Sequence, residues 1–138
     1  MTAIETKGLS KTYKATRAVE DLNLTIENGE LFALLGVNGA GKTTAIKILM
    51  GLISPDSAEI EIMGHDLFTE RDMIMSKTGA IIEYPAFFEY LTAWENLFHL
   101  SRLSFHNVDR TAIERTLKIV GLGDVKNKQV RKFSYGMK

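Results

Sequence analysis

The sequence predicts an α/β fold, and three observations carry that prediction. An apolar run, Leu31–Leu35, leads into a glycine-rich stretch matching G-x-x-x-x-G-K-S/T from Gly36 to Thr43, and Ala45, Ile46, Ile48 and Leu49 follow at helical spacing. Upstream, Leu22, Leu24 and Ile26 alternate with Asn23, Thr25 and Glu27, the pattern of a half-buried strand. From Leu91 onward the apolar residues recur with helical period.

Each residue type in the glycine-rich stretch has a physical reason. Glycines let the backbone bend so that its N–H groups point inward around phosphate oxygens, and the start of the next helix adds the positive end of a dipole. Lys42 is placed to reach β- and γ-phosphates, and Thr43 offers a hydroxyl ligand for Mg²⁺. The phosphate-contacting candidates are therefore Gly36, Asn38, Gly39, Ala40, Gly41, Lys42, Thr43 and Thr44. The loop alone names neither the nucleotide nor what its hydrolysis drives.

Taken in order, residues 2–26 read as β structure, with Leu9–Tyr13 as a polar turn carrying an aromatic. Tyr13 suits either half-exposed packing or stacking on a nucleotide base. Asn28-Gly29 supplies two positive-φ positions for a tight hairpin into a buried strand at Leu31–Leu35. A helix is expected from Lys42 to Met50, capped by Gly51 and stopped by Pro55. Ser57–Met63 alternates again as a strand ended by Gly64, and a weaker helical segment spans Phe68–Lys77. The run Ala80-Ile81-Ile82 reads as a strand with Glu83 at its carboxyl end, where ligand-facing residues collect in α/β sheets.

Thr92 and Glu95 form a capping box for a helix whose apolar stripe is Trp94, Leu97, Phe98 and Leu103. A second helix, Val108–Val120, places Ile113, Leu117 and Val120 on one face and ends at Gly121. His65, His99 and His106 lack partners at metal spacing and read as surface or packing residues. The stretch Asp124–Lys138 carries Lys126, Lys128, Arg131, Lys132 and Lys138, a solvated basic face, and a new helix is expected with Ser134 as its N-cap.

The bulk numbers are those of an ordinary globular domain. The 138 residues are 45% hydrophobic and 25% charged, with formal net charge zero. That balance offers nothing toward a nucleic-acid partner. There is no cysteine, which excludes disulfides, thiolate zinc sites and a cysteine nucleophile. No apolar stretch approaches the roughly 18–20 residues that cross a bilayer, and Met1–Glu5 shows no secretory signal. A cytosolic chain is expected; any spanning helices come from another chain.

Three further features converge on one resemblance. Tyr13 sits at the position of an adenine-stacking aromatic, and Ile81–Pro85 through Leu91–Leu97 resembles a Q-loop and the opening of a helical subdomain. Ser134-Tyr135-Gly136-Met137 falls where a Leu-Ser-Gly-Gly-Gln signature stands. With Gly36–Thr44 as Walker A, the chain resembles the N-terminal part of an ABC transporter ATP-binding subunit. Two departures are notable. Glu83 replaces the Q-loop glutamine, and Phe133, Tyr135 and Met137 replace three signature residues, while Ser134 and Gly136 are kept. These substitutions resemble the bacitracin-resistance and lantibiotic-immunity branch of bacterial exporters. A GTPase-like reading of Ile81–Glu83 as Walker B is disfavoured, because Glu stands for Asp, Pro85 follows at once, and no Asn-Lys-x-Asp motif is present.

The resemblance implies a P-loop NTPase of ABC ATPase type, with an antiparallel β subdomain and the start of a helical subdomain. Residues 1–85 would be the ATP-binding core and β subdomain, and 86–138 the helical subdomain ending at the signature. It implies ATP and Mg²⁺ as cofactors, with adenine on Tyr13, phosphates on Gly36–Thr44, and Mg²⁺ on Thr43 and Glu83. Lys42 and Glu83 are the catalytic candidates. Ser134 and Gly136 would meet the nucleotide held by a second ATP-binding subunit. A transmembrane permease would dock near Ala86–Leu97, where Phe87, Phe88 and Tyr90 suit either docking or local packing. The protein would then lie on the cytoplasmic face of the membrane. Walker B, D-loop and switch histidine follow the signature in this family, so the sequence reads as truncated before Walker B. Alone it is expected to bind ATP without efficient hydrolysis. A soluble, non-transport ABC ATPase is the alternative, marked by a second Walker A further along one chain.

Overall fold

The computed structural model describes residues 1–83, 86–103 and 109–138. The chain divides into two compact units, Met1–Glu83 and Tyr84–Lys138.

The first unit is organised by a four-stranded antiparallel sheet. Strands β1 (Thr2–Tyr13) and β2 (Thr16–Glu27) form a long hairpin, and β3 (Ser57–Ile62) with the short β4 (His65–Asp66) extends it, in the order β2-β1-β3-β4. The register pairs Thr6 with Leu24 on one side and with Ile60 on the other. Leu9–Tyr13 is therefore strand rather than turn, and the chain reverses at Lys14, whose φ is 54°. The alternation in β2 is realised, with Leu22, Leu24 and Ile26 half-buried and their neighbours exposed. Met63 and Gly64, both at positive φ, make the two-residue turn between β3 and β4.

Helix α1 (Lys42–Leu49) and helix α2 (Arg71–Lys77) bring Ile48 and Ile74 into a core with Leu9, Ile60, Ile62 and Leu67. Gly51 ends α1 as expected. At φ 61° it lets its own N–H bond Ile48 O at 2.8 Å while Leu52 N–H bonds Lys47 O at 2.9 Å. Asp66 accepts from the N–H groups of Phe68 and Thr69, so Phe68–Glu70 form a turn and α2 starts only at Arg71.

Two expected strands are not formed. Residues 30–37 pair with no strand among the described residues, and Leu31 and Leu35 are 99% and 88% exposed. Ala80–Ile82 is likewise unpaired, with Ile81 76% exposed. A strand exists only through its neighbours' hydrogen bonds, and an apolar run without a partner cannot satisfy its backbone in a core. The Asn28-Gly29 hairpin consequently becomes a simple turn, closed by Glu30 N–H on Glu27 O at 3.1 Å, and only Gly29 has positive φ.

The second unit packs α3 (Ala93–Ser101) on α4 (Arg110–Ile119) around Ala93, Ile113, Leu117 and Phe133. Thr92 and Glu95 form the expected capping box. Asp109 caps α4, Val108 lies outside the described residues, and Gly121 terminates the helix with Leu122 N–H on Leu117 O at 2.7 Å. Trp94 and Phe98 stack at 5.2 Å. Leu103 and Val120 are exposed and do not join the stripe expected of them. The segment Lys126–Arg131 runs against the start of α3, where Lys128 O and Lys126 O accept from Ala93 and Trp94 N–H. It thereby satisfies donors that every helix N-terminus leaves open.

Candidate functional site

The glycine-rich loop closes on itself around Lys42. The Lys42 ammonium donates to Gly36 O at 2.6 Å and Val37 O at 2.8 Å, which curls residues 36–42 into a ring. Gly36 sits beneath it, since a Cβ there would meet Ala40 Cβ at 3.2 Å and Lys42 Nζ at 4.0 Å. Gly41 takes φ 83° as the residue before α1, and no side chain among the described residues caps that helix. Its first N–H groups are therefore left facing the loop, uncapped and at the positive end of the helix dipole. A cavity of about 330 Å³ lies along the loop, bounded by Gly39–Lys42 and by Ala18–Glu20 of β2. Gly41 makes the closest approach, because a Cβ on it would lie 1.9 Å from Ala18 O.

The residues fit a bound nucleotide phosphate. The ammonium, the uncapped helix start and a loop whose hollow a side chain at Gly36 would fill are the donor set that phosphate requires. Thr43 is exposed in the first turn of α1, its hydroxyl available as an oxygen ligand of the hard kind Mg²⁺ takes.

Glu83 stands at φ 67°, an uncommon conformation for a side-chain-bearing residue. Its carboxylate does not face the loop lysine: Oε1 accepts from Lys47 Nζ at 3.0 Å. Lys47 is four residues beyond Thr43, hence one turn along the same face of α1. Sequence reasoning missed Lys47, although its spacing from Thr43 was visible.

Tyr13 closes β1 with its ring 45% exposed. Lys11 Nζ lies 5.7 Å from the ring centroid and is itself held by Asp56 Oδ1 at 3.0 Å. Asp56 also accepts from Thr12 N–H at 2.7 Å, and the Lys11 bond, then this one, hold its carboxyl below the usual range. The aromatic is thus mounted, partly exposed, on a braced strand end.

In the second unit, Ser134 and Gly136 are exposed on a single 3₁₀ turn, Tyr135–Met137. Ser134 has the extended backbone of an N-cap, but its side chain makes no capping bond, so the expected helix is one turn only. The aromatic stretch before α3 is anchored by Asn96, a residue whose importance its motif position alone did not reveal. Asn96 is 2% exposed; its Oδ1 accepts from Phe88 N–H at 2.8 Å, and its Nδ2 donates to Phe88 O and Thr92 O. Phe88 and Tyr90 are exposed beside one another at 6.1 Å, while Phe87 turns into an apolar cavity of about 500 Å³ shared with Leu97, Leu117 and Phe133.

His65 bonds Glu70 at 3.1 Å, His99 packs edge-on to Phe98, and His106 lies outside the described residues.

Residues 19–138 match the model of one protein family, described as ABC transporter. The chain belongs to the ABC transporter family. It is 43% identical to the bacitracin transport ATP-binding protein BcrA of Bacillus licheniformis, over 99% of this chain and 44% of that protein. It is 36% identical to the lantibiotic transport ATP-binding protein SrtF of Streptococcus pyogenes, over 98% of this chain and 57% of that one. A solved ATP-binding subunit of an ABC transporter superposes with TM-score 0.79 at 31% identity, covering 99% of this chain and 57% of that structure. The fold is thus that of an ABC ATPase nucleotide-binding domain, and the chain spans roughly half the length of the relatives it matches.

Proposed function

We propose that this chain is the nucleotide-binding part of an ABC transporter ATP-binding subunit, and that Gly36–Thr44 binds ATP with Mg²⁺. The observation that carries the reading is the ring closed by Lys42 at the uncapped start of α1. Lys42, the loop N–H groups and Thr44 hold the phosphates. Thr43, joined by Glu83, would hold the metal, which when bound supplies positive charge against the phosphates. The exposed Tyr13 ring carries the adenine.

Hydrolysis and transport belong to the whole subunit, of whose relatives this chain matches about half the length. In it, Lys42 stabilises charge developing on the transferred phosphoryl group and Glu83 positions the metal. Ser134 and Gly136, both exposed, meet the nucleotide of a second ATP-binding subunit. The exposed Phe88, held by Asn96, and Tyr90, whose carbonyl accepts from Gln129 Nε2, face a transmembrane permease on the inner side of the membrane. The bacitracin and lantibiotic relatives favour a peptide antibiotic as the exported substrate.

A melt tests the binding claim directly. Mg-ATP at a hundredfold excess over Kd should stabilise the chain by about 2.7 kcal/mol, and Lys42→Ala should remove that gain. An equal gain in both proteins, or none in either, refutes the assignment.

A further inference from the structure

The ion pair between Lys47 and Glu83 has no part in the phosphate cradle, yet it joins the phosphate-loop helix to the residue assigned to the metal. Its Nζ–Oε1 distance is 3.0 Å, and Lys47 follows Thr43 by one helical turn. The Glu83 carboxylate is thus held against α1 by the residue one turn beyond Thr43. Two further observations bear on its purpose. The pair is open to solvent, with side chains 36% and 60% exposed, so it is weak enough to exchange partners. Glu83 also sits at φ 67°, a backbone setting that a non-glycine residue leaves readily when released. A carboxylate near phosphates is an electrostatic liability until a cation neutralises it, and here the chain supplies its own cation.

We propose that Lys47 is a positioning residue that holds Glu83 in reserve before nucleotide binding and yields it to the metal when Mg-ATP arrives. The inference rests on the reading of Glu83 as a metal ligand. Lys47 and the metal then compete for one carboxylate. Removing Lys47 frees Glu83 and lowers the Mg²⁺ concentration that the chain needs to bind ATP. Because an exposed pair of this kind is worth little, the effect should be about two- to fivefold.

The experiment is a Mg²⁺ titration of ATP binding, read by equilibrium binding rather than turnover, on the unaltered chain, Lys47→Met, Lys47→Arg, Glu83→Ala and the Lys47→Met/Glu83→Ala double variant. A melt without nucleotide confirms that each is folded. Lys47→Met should lower the half-saturating Mg²⁺ about two- to fivefold, Lys47→Arg should leave it unchanged, and Lys47→Met should have no effect in the Glu83→Ala background. The proposal is overturned if Lys47→Met is silent, raises the Mg²⁺ requirement, or acts equally in the Glu83→Ala background. The two readings separate cleanly. Glu83→Ala raising the requirement while Lys47→Met is silent keeps Glu83 at the metal and discards the reserve role; Glu83→Ala without effect discards both.

Discussion

The tightest steric contact in the loop offers a sharp test, because two glycines of the same loop differ in only one respect. Gly39 and Gly41 have φ of 85° and 83°, so alanine pays the same left-handed backbone cost at either, about 1–2 kcal/mol. A Cβ on Gly39 would meet nothing within 4 Å, whereas one on Gly41 would lie 1.9 Å from Ala18 O and 3.1 Å from Val19 Cγ2. Reaching an ordinary C···O separation of about 3.3 Å requires a shift of roughly 1.4 Å. Neither side gives easily. Ala18 is the extra residue of a bulge in β2, flanked by the Lys11–Val19 and Thr12–Arg17 pairs that hold it on either side, and Gly41 O accepts from Ala45 N–H at 2.9 Å in α1. Forcing the shift adds about 1–3 kcal/mol of overpacking strain. Gly39→Ala should therefore lose about 1–2 kcal/mol in urea denaturation and Gly41→Ala about 2–5 kcal/mol. Equal losses in the two variants would refute the idea that Gly41 is required by its approach to β2.

Two other predictions follow from the polar contacts. Asn96→Ala leaves Phe88 N–H without its partner, while Phe88 O and Thr92 O keep their backbone donors, Leu91 N–H and Asn96 N–H, and should cost about 1–3 kcal/mol. Asn96→Asp should not rescue it, since a carboxylate can accept from Phe88 N–H but sets a buried charge against the two carbonyls that Nδ2 faced; denaturation and amide exchange at Phe88 measure both, and an Asp variant as stable as the unaltered chain would contradict the bonding described. The second concerns acid. Asp56, Asp66, Glu89, Glu95, Asp109 and Glu114 all have carboxyls lowered mainly by hydrogen bonds, from Lys11, Thr69, Lys138, Thr92, Thr111 and Lys126 respectively. A depressed folded-state pKa adds stability above the ordinary carboxylate range, near pH 4, and loses it as pH falls through the lowered values. Stability should thus decline below about pH 4, and a melting series that stays flat down to pH 2 would show these bonds to be inconsequential.

The residues that write their own local structure were legible in the sequence. The loop Gly36–Thr44, the capping box of Thr92 and Glu95, and the helix stops at Gly51 and Gly121 depend on backbone freedom and on partners within a few residues. The alternation of Leu22, Leu24 and Ile26 was legible for the same reason, a period of two matched to one buried face. The motif order from Tyr13 to Met137 also sufficed to place the chain in its family, with residues 19–138 matched.

What needed the tertiary structure was everything decided by a distant partner. Leu31–Leu35 and Ala80–Ile82 carry strand-like apolar runs, yet neither becomes a strand, because strand formation is a property of a pair and composition speaks only for one member. Leu9–Tyr13 has the composition of a polar turn and is strand, since β2 pairs along it and β3 meets it at Ser10. Gly41 read as one loop glycine among several until Ala18, 23 residues away in sequence, was seen against it. The same holds for Glu83. Its replacement of the family's glutamine was plain from the residue itself, but its cation, Lys47, is 36 residues away in the chain and is brought to 3.0 Å only by the fold.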